Sequence, residues 1–239
     1  MLEIYTVCDT IFCMIKYTDA HCHFTGQILP ESIAGLITNS ARFNDWNTVA
    51  NVARSNPNIH GAIGLHPWYL TDLPSDWAET LTDILAQNPE LLVGEIGLDK
   101  HHPDLPTQEH VFTRQLQIAS QMHRGVCVHC VGAWDKMLHI LRGQGVSLPP
   151  FILFHGFRGP VDQIPRLADK YNAYFSYNHR LNERYVLATP RDRILAESDS
   201  ATPTDVVDNV ARLAEISGLD IGDMADIINA NMGRMLNNG

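Results

Sequence analysis

After residue 13 the chain alternates short apolar runs with longer amphipathic segments, and this alternation is the feature that most constrains its fold. Each apolar run is only four to six residues long, which is typical of a strand buried in a parallel sheet. The predicted strands are Ile15–Ala20, Ile33–Thr38, His60–Gly64, Leu91–Glu95, Val126–His129, Phe151–His155, Ala173–Ser176 and Ile194–Glu197. The predicted helices between and after them are Trp46–Arg54, Trp77–Gln87, Gln108–Met122, Trp134–Arg142, Pro160–Asp169, Glu183–Ala188 and Pro203–Ile216.

Eight strands alternating with helices fit a closed (β/α)8 barrel, but a doubly wound sheet alternates in the same way. The length of 239 residues suits one α/β barrel domain. Polar residues decide between the two, because they follow six different runs and the strand ends of a barrel converge on one mouth. These residues are His21, His66, Glu95, His129, His155 and Asp199. We therefore predict an α/β fold, a single-domain (β/α)8 barrel, and find no Gly-rich dinucleotide motif and no P-loop lysine.

His21 and His23 form an H-x-H pair, which places two imidazoles on one face of a strand. Two neutral imidazoles are half of a metal site. Any one of the histidines at the strand ends could equally be an ordinary hydrogen-bonded side chain, but their conjunction with two carboxylates favours metal binding. Glu95 can bridge two cations through its two oxygens, and Asp199 can bind one cation and accept a proton.

Composition limits the class of protein. The formal net charge of −10 argues against a broadly basic nucleic-acid-binding surface, although bound metal ions could supply positive charge locally. Five cysteines at irregular spacing favour reduced thiols and a cytoplasmic location. Cys127 and Cys130 would lie on opposite faces of a strand, so we do not expect them to share a disulfide or a ligand.

The first residues show neither a signal peptide nor a membrane-spanning run. We interpret residues 1–13 as an extension, either an appendage or the product of an upstream start codon. Residues 14–239 would then form the barrel. Two short helical patterns at the end, Asp223–Ile228 and Asn231–Leu236, are expected to cover the bottom or side of the barrel.

Six motifs of this chain resemble, in order, those of the TatD family of metal-dependent hydrolases. They are Asp19–Phe24 (DAHCHF), Gly64–Pro67 (GLHP), Val93–Asp99 (VGEIGLD), Val126–His129 (VCVH), Phe154–Phe157 (FHGF) and Leu195–Asp199 (LAESD). The most specific part is GEIGLD with the following pattern Q-x-x-x-F-x-x-Q-L-x-x-A over Gln108–Ala119. The resemblance implies a TIM barrel of the amidohydrolase superfamily with a two-metal site. It also implies a deoxyribonuclease, many relatives of which are 3′ exonucleases on single strands.

The resemblance assigns the ligands residue by residue. It implies that His21, His23 and Asp199 hold one metal ion, that His129 and His155 hold the other, and that Glu95 bridges them. It further implies that His66 contacts the substrate phosphate. The donor set accommodates Zn, Mn, Co, Ni or Mg, and phosphate chemistry together with the resemblance favours Mg or Mn in use.

Three loops depart from the family pattern, at Lys100–Pro103, Arg158 and Ser200–Pro203. All are expected over the mouth, so substrate choice rather than the metal site is affected. His101 and His102 could be extra ligands, but we favour exposed loop imidazoles. Asp99 could either anchor its loop or act in the site, and His66 could be a locally bonded loop residue.

Two metal ions can lower the pKa of a bound water toward ~7 and clamp a phosphodiester. In that scheme Asp199 is the predicted general base, Glu95 the bridge, and His66 stabilises developing phosphoryl charge. A nuclease on DNA, or on RNA, is the first hypothesis. A hydrolase of amides, esters or lactones is the alternative, because the same type of site attacks carbonyls. A third hypothesis is a barrel that acts only as a binding partner in a complex, with an inactive site. The complete set of ligand-type residues argues against it.

A nuclease needs stacking aromatics and cations at the mouth. The candidates are Trp68, Tyr69, Phe157, Arg158, Tyr177 and Arg180. Trp68 and Tyr69 suit a nucleobase, but they also suit ordinary packing.

Overall fold

The computed structural model describes residues 14–26, 28–143 and 148–237. The predicted extension, residues 1–13, lies outside this part. Eight parallel strands form one sheet in which sequence order and spatial order are the same. The strands are β1 Tyr17–Cys22, β2 Ile33–Asn39, β3 Ile59–Ile63, β4 Leu92–Asp99, β5 Val126–Val131, β6 Ile152–Phe154, β7 Ala173–Tyr177 and β8 Ile194–Ala196.

The sheet curls so that its last strand returns to its first. The Asp199 N–H donates to the His21 carbonyl at 3.0 Å, and the His23 N–H donates to the Ser200 carbonyl at 2.9 Å. A doubly wound sheet reverses its strand order at a switch point, and this sheet does not. The (β/α)8 barrel predicted from the sequence is therefore confirmed.

Helices cover the outside of the barrel. They are α1 Trp46–Ser55, α2 Trp77–Gln87, α3 Leu105–Gln121, α4 Trp134–Arg142, α5 Ile164–Tyr171, α6 Glu183–Ala188, α7 Val206–Ser217 and α8 Ile221–Asn237. Helix α3 begins where the Asp104 side chain accepts a hydrogen bond from the Thr107 N–H at 3.2 Å, as an N-cap does. The described part of the chain includes no helix long and apolar enough to cross a membrane.

Several boundaries differ from the predictions, and two of the differences change the interpretation of the fold. The two short C-terminal helices are wrong, because α8 is a single helix of 17 residues. The helix continues through the predicted break at 229–230, where Asn229 Nδ2 donates to the Lys16 carbonyl at 2.9 Å. Beside it, Asn231 is buried and its Nδ2 donates to the Ile194 and Arg191 carbonyls at 2.9 and 2.8 Å. Strand β4 continues past Glu95 to Asp99, because both of its faces are buried along its whole length. Glu95 consequently projects from the middle of a strand.

Both cysteines of the C-x-x-C pair lie on β5, where they are buried and free. Residues three apart on a strand face opposite ways, as expected. Burial raises the pKa of both thiols, which keeps them protonated and unreactive.

Candidate metal centre

The carboxylate of Glu95 lies at the centre of the cluster of histidines at the barrel mouth. It is 3% exposed, and its Oε1 faces three imidazoles. The distances from Oε1 are 2.7 Å to His155 Nε2, 3.0 Å to His129 Nδ1 and 3.3 Å to His66 Nε2. Because the strands of a barrel surround one interior, the mid-strand carboxylate of β4 reaches side chains on β5 and just after β3 and β6.

The other oxygen of Glu95 faces the H-x-H pair. Oε2 lies 3.4 Å from His21 Nε2 and 3.7 Å from His23 Nε2. Asp199 Oδ1 completes this side, at 3.8 Å from His21 Nε2 and 3.7 Å from His23 Nε2. The two oxygens of one carboxylate thus face two separate groups of ligand-type side chains.

The residues at this centre fit a divalent cation. Three sets of donor atoms have all members within 4.8 Å of one another: His21, His23 and Glu95; His21, His155 and Asp199; His66, Glu95 and His129. His21 is fully buried, yet its Nε2 has no hydrogen-bond partner among the described residues. A buried polar atom without a partner is costly, and a cation would satisfy it.

The groups behind the imidazoles indicate which ring nitrogen is free. His23 Nδ1 lies 3.0 Å from the Asn39 carbonyl and therefore donates, which leaves Nε2 with a lone pair toward Glu95. His155 has Glu197 Oε1 3.6 Å behind its Nδ1, and His129 has Asp99 Oδ2 3.5 Å behind its Nε2. A carboxylate or carbonyl behind the ring is the usual support of a metal-binding histidine.

His66 differs from the other histidines. Its Nδ1 accepts a hydrogen bond from the Trp68 backbone N–H at 3.2 Å, so the neutral ring has its proton on Nε2. That nitrogen faces Glu95 as a donor. A nitrogen with a proton donates to oxygen and cannot bind a cation, so in this tautomer His66 is not of the metal-binding type, although it lies close enough to Glu95 and His129 to complete a set of donors.

Charges in the centre shift one another's pKa. Burial raises the pKa of Glu95, but the surrounding imidazoles, His155 foremost, lower it more, so the net pKa is well below the usual range. Burial lowers the pKa of His155, but Glu95 and Glu197 raise it well above the usual range. For His21, burial and the neighbouring His155 lower the pKa, so this ring is neutral.

Two buried carboxyl groups were not assigned a role from the sequence. Glu197 accepts hydrogen bonds from Asn178 Nδ2 at 2.8 Å and from the Ser176 hydroxyl. Asp19 Oδ1 accepts from the backbone N–H groups of Ser198 and His21, at 2.9 and 3.2 Å, and burial raises its pKa to about 8. The available signal was a carboxyl residue inside an otherwise apolar strand. Both groups hold the backbone or side chains beside the ligands.

Two glutamines of helix α3, Gln108 and Gln115, form hydrogen bonds to two loops at the mouth of the barrel. Both belong to the pattern Q-x-x-x-F-x-x-Q-L-x-x-A. Gln115 accepts from the Leu65 N–H at 2.7 Å and donates to the Leu65 carbonyl at 3.2 Å, next to His66. Gln108 accepts from the Asp99 N–H at 2.8 Å and donates to the Asp99 carbonyl at 3.1 Å. Each glutamine is buried and satisfies both polar groups of one residue.

Asp99 both anchors its loop and reaches the centre. Its Oδ1 accepts from the His101 N–H at 2.8 Å, and its Oδ2 accepts from Trp68 Nε1 at 2.7 Å. Burial raises its pKa, but hydrogen bonds with His129 and Trp68 lower it more, so Asp99 is ionised. His102 stacks on Trp68, with ring centroids 4.6 Å apart, and lines the same cavity as Glu95.

The aromatic and cationic candidates separate into two groups. Phe157 and Tyr177 are wrong as mouth residues, because they are 1% and 2% exposed. Phe157 packs against Phe175, and the Tyr177 hydroxyl bonds to Thr189 at 2.6 Å, so both complete the core. Arg158 and Arg180 are exposed and line a cavity of about 310 Å³ that also contains His129, His155 and Asp199.

We expect metal to stabilise the protein more at pH 8 than at pH 5.5. The raised pKa values of His155 and His129 keep protons on these rings in the metal-free protein. The bound protons stabilise the metal-free fold below about pH 6.5, and this contribution is lost as the pH rises through the raised pKa values. Cations must displace those protons. The measurement is the increase in melting temperature on adding Mn to chelator-treated protein at each pH. An equal increase at both would contradict the shifts.

Comparisons with known proteins identify the family of this chain. The TatD related DNase family matches residues 18–237. The metal-dependent hydrolase YabD of Bacillus subtilis is 25% identical, over 74% of this chain and 77% of YabD. The 3′-5′ ssDNA/RNA exonuclease TatD of Salmonella typhimurium is 29% identical, over 58% of this chain and 54% of that protein.

Among solved structures, the barrel resembles YjjV, a TatD homologue of Escherichia coli. The TM-score is 0.80 at 21% identity, over 94% of this chain and 99% of YjjV. This likeness concerns the fold. The family match covers nearly the whole described barrel, including every strand that supplies a ligand-type side chain, and the chain therefore belongs to the TatD related DNase family.

Proposed function

We propose that this protein is a metal-dependent nuclease that hydrolyses DNA, or RNA, from the 3′ end of single strands. The observation that supports it best is the two-sided arrangement around Glu95, in which each oxygen faces its own group of imidazoles. Similarity to 3′-5′ ssDNA/RNA exonucleases of the TatD type supports the substrate class. A cytoplasmic location is part of the proposal and is supported by the buried free cysteines.

The ligand assignment follows the two faces of Glu95. His21, His23 and Asp199 would hold one divalent cation, His129 and His155 would hold the second, and Glu95 would bridge them. Bound cations would supply a water of lowered pKa and neutralise phosphate charge. Mg or Mn is the proposed ion in use, although imidazole-rich sites also accept Zn, Co or Ni.

Asp199 is the proposed general base. Its side chain is 36% exposed, so it can meet both substrate and solvent. Burial raises its pKa, but the nearby imidazoles, with His23 Nε2 at 3.7 Å, lower it to about 2, so it is ionised at neutral pH and has a lone pair available for a proton. Its φ of +53° places it in the left-handed region, which Asp tolerates better than most residues.

His66 is the proposed phosphate contact. Its Nε2–H points into the mouth beside Glu95, where it can donate to a phosphoryl oxygen as negative charge develops. Arg158 and Arg180 line the same mouth and can neutralise a neighbouring phosphate. These local cations allow a chain of net charge −10 to bind a polyanion.

The decisive experiment uses chelator-stripped protein and a 5′-labelled single-stranded DNA. With Mg or Mn added back, we expect stepwise shortening from the 3′ end, and no products from His129→Ala. His139→Ala is the matched control, because His139 is exposed on α4 and away from the mouth. An RNA of the same sequence tests the sugar preference.

A different outcome would identify the alternative. If folded, metal-loaded protein leaves DNA and RNA intact, the nuclease proposal is wrong. Cleavage of an amide, ester or lactone under the same conditions, lost again in His129→Ala, would establish a carbonyl hydrolase with the same centre. The loops Lys100–Pro103 and Ser200–Pro203 would then be the first places to look for its substrate contacts.

A further inference from the structure

We propose that a second cavity beside the metal centre binds a nucleobase of the substrate, with the indole of Trp68 as its stacking surface. This inference rests on the proposed nuclease function. The cavity has a volume of about 420 Å³, within the range of pockets for small ligands. Its walls include Phe43, Trp68, Tyr69 and Leu73.

The second cavity adjoins the metal centre through shared side chains. Trp68 and Tyr69 line both this cavity and the cavity of about 600 Å³ that contains Glu95. The ring of His66, the proposed phosphate contact, lies 5.1 Å from the Trp68 ring and 5.9 Å from the Tyr69 ring. A phosphate at His66 would therefore have its attached nucleoside next to Trp68.

Trp68 is held in place before any ligand arrives. Its Nε1 donates to Asp99 Oδ2 at 2.7 Å, and the His102 imidazole stacks on the indole with an interplanar angle of 19°. The side chain nevertheless remains 45% exposed. An exposed aromatic ring that is already fixed loses little conformational entropy when a base stacks on it.

The polar groups of the cavity suit a flat, neutral ligand. Arg42 and Asp72 contribute one positive and one negative charge to its lining, so the lining does not favour a polyanion. The Arg42 guanidinium is itself held over the Tyr69 ring, 4.2 Å from the centroid. The Asn44 amide offers both donors and acceptors for the edge of a base.

The test measures binding separately from cleavage. Fluorescence anisotropy in EDTA compares a labelled deoxyhexanucleotide with versions that are abasic at either of the last two 3′ positions. We expect the intact strand to bind wild-type protein about 5- to 150-fold more tightly than one of the abasic strands. Trp68→Ala should abolish this difference and leave the affinity for that abasic strand unchanged.

Trp68→Phe separates stacking from support of Asp99. Phenylalanine keeps an aromatic face but has no N–H for Asp99, so a stacking role predicts that most of the base-dependent affinity is retained. If Trp68→Phe binds as weakly as Trp68→Ala, or if wild-type protein binds intact and abasic strands equally, the nucleobase site is wrong.

Cleavage with Mg or Mn then distinguishes the two proposals. Cleavage without base-dependent binding would leave the nuclease function standing and overturn the nucleobase site. Base-dependent binding through Trp68 without cleavage by any metal would support the nucleobase site and overturn the nuclease function.

Discussion

Glu95→Gln is expected to lower the rate of hydrolysis by about 10³-fold or more. The amide has almost the same shape as the carboxylate, but it is neutral and has an oxygen on one side only. It therefore cannot present an anionic oxygen to both groups of histidines, whose nearest nitrogens lie 2.7 Å and 3.4 Å from the two carboxylate oxygens. One face of the centre would meet an NH₂ group, which repels a cation.

Metal content tests the same variant independently of activity. Elemental analysis after loading with Mn should show that Glu95→Gln binds less metal than wild-type protein. Glu109→Gln is the matched control, since Glu109 lies on the outer helix α3 and pairs with Lys136. If Glu95→Gln kept full metal content and more than a tenth of the activity, Glu95 would not be the bridge.

Gly97→Ala is expected to destabilise the fold by about 2–6 kcal/mol, because backbone strain and overpacking cost about 1–3 kcal/mol each. Gly97 has a φ of +151°, a backbone conformation that residues with a side chain rarely adopt. A Cβ at this position would lie 1.9 Å from the His129 carbonyl oxygen. The carbonyl belongs to β5, paired with β4 at this point. Relief of the clash would separate the two strands that hold Glu95 and His129.

The readout is thermal unfolding with and without metal. We expect a markedly lower melting temperature for Gly97→Ala and a weakened response to Mn, because His129 would move. Gly233→Ala is the control, since a Cβ on this residue of α8 meets nothing within 4 Å. It should stabilise the protein by about 0.5–1 kcal/mol. An unchanged melting temperature in Gly97→Ala would refute the close approach of β4 and β5.

Much of the candidate site was predictable because, in a barrel, a residue that ends a strand in the sequence lies at the mouth in the structure. Side chains at the ends of parallel strands must meet at one mouth, so the histidines of β1, β5 and β6 are brought together by topology alone. Period-2 geometry likewise predicts that His21 and His23 share a face. Neither prediction needs knowledge of side-chain packing.

Other features depend on contacts between distant segments. Asp19 accepts a hydrogen bond from Ser198, 179 residues away, and nothing near either residue predicts it. Phe157 and Tyr177 have aromatic side chains that could stack on a base, yet packing places them in the core. Helix α8 is continuous through the predicted break at 229–230, and the asparagines there are satisfied by distant carbonyls: Asn229 by Lys16, and Asn231 by Arg191 and Ile194.

The sequence by itself determined the alternating strands and helices and the residue types that follow the strands, because hydrophobic periodicity is a local property of the chain, and the polar residues after six strands favoured a barrel over a doubly wound sheet. The tertiary structure alone decided which nitrogen of His23 and which nitrogen of His66 is free. That depends on the group behind the ring: the Asn39 carbonyl behind His23 leaves Nε2 for a cation, whereas the Trp68 N–H behind His66 makes Nε2 a donor. A ring nitrogen cannot donate and bind a cation at once, so under the proposed function these second partners assign His23 to a cation and His66 to the substrate.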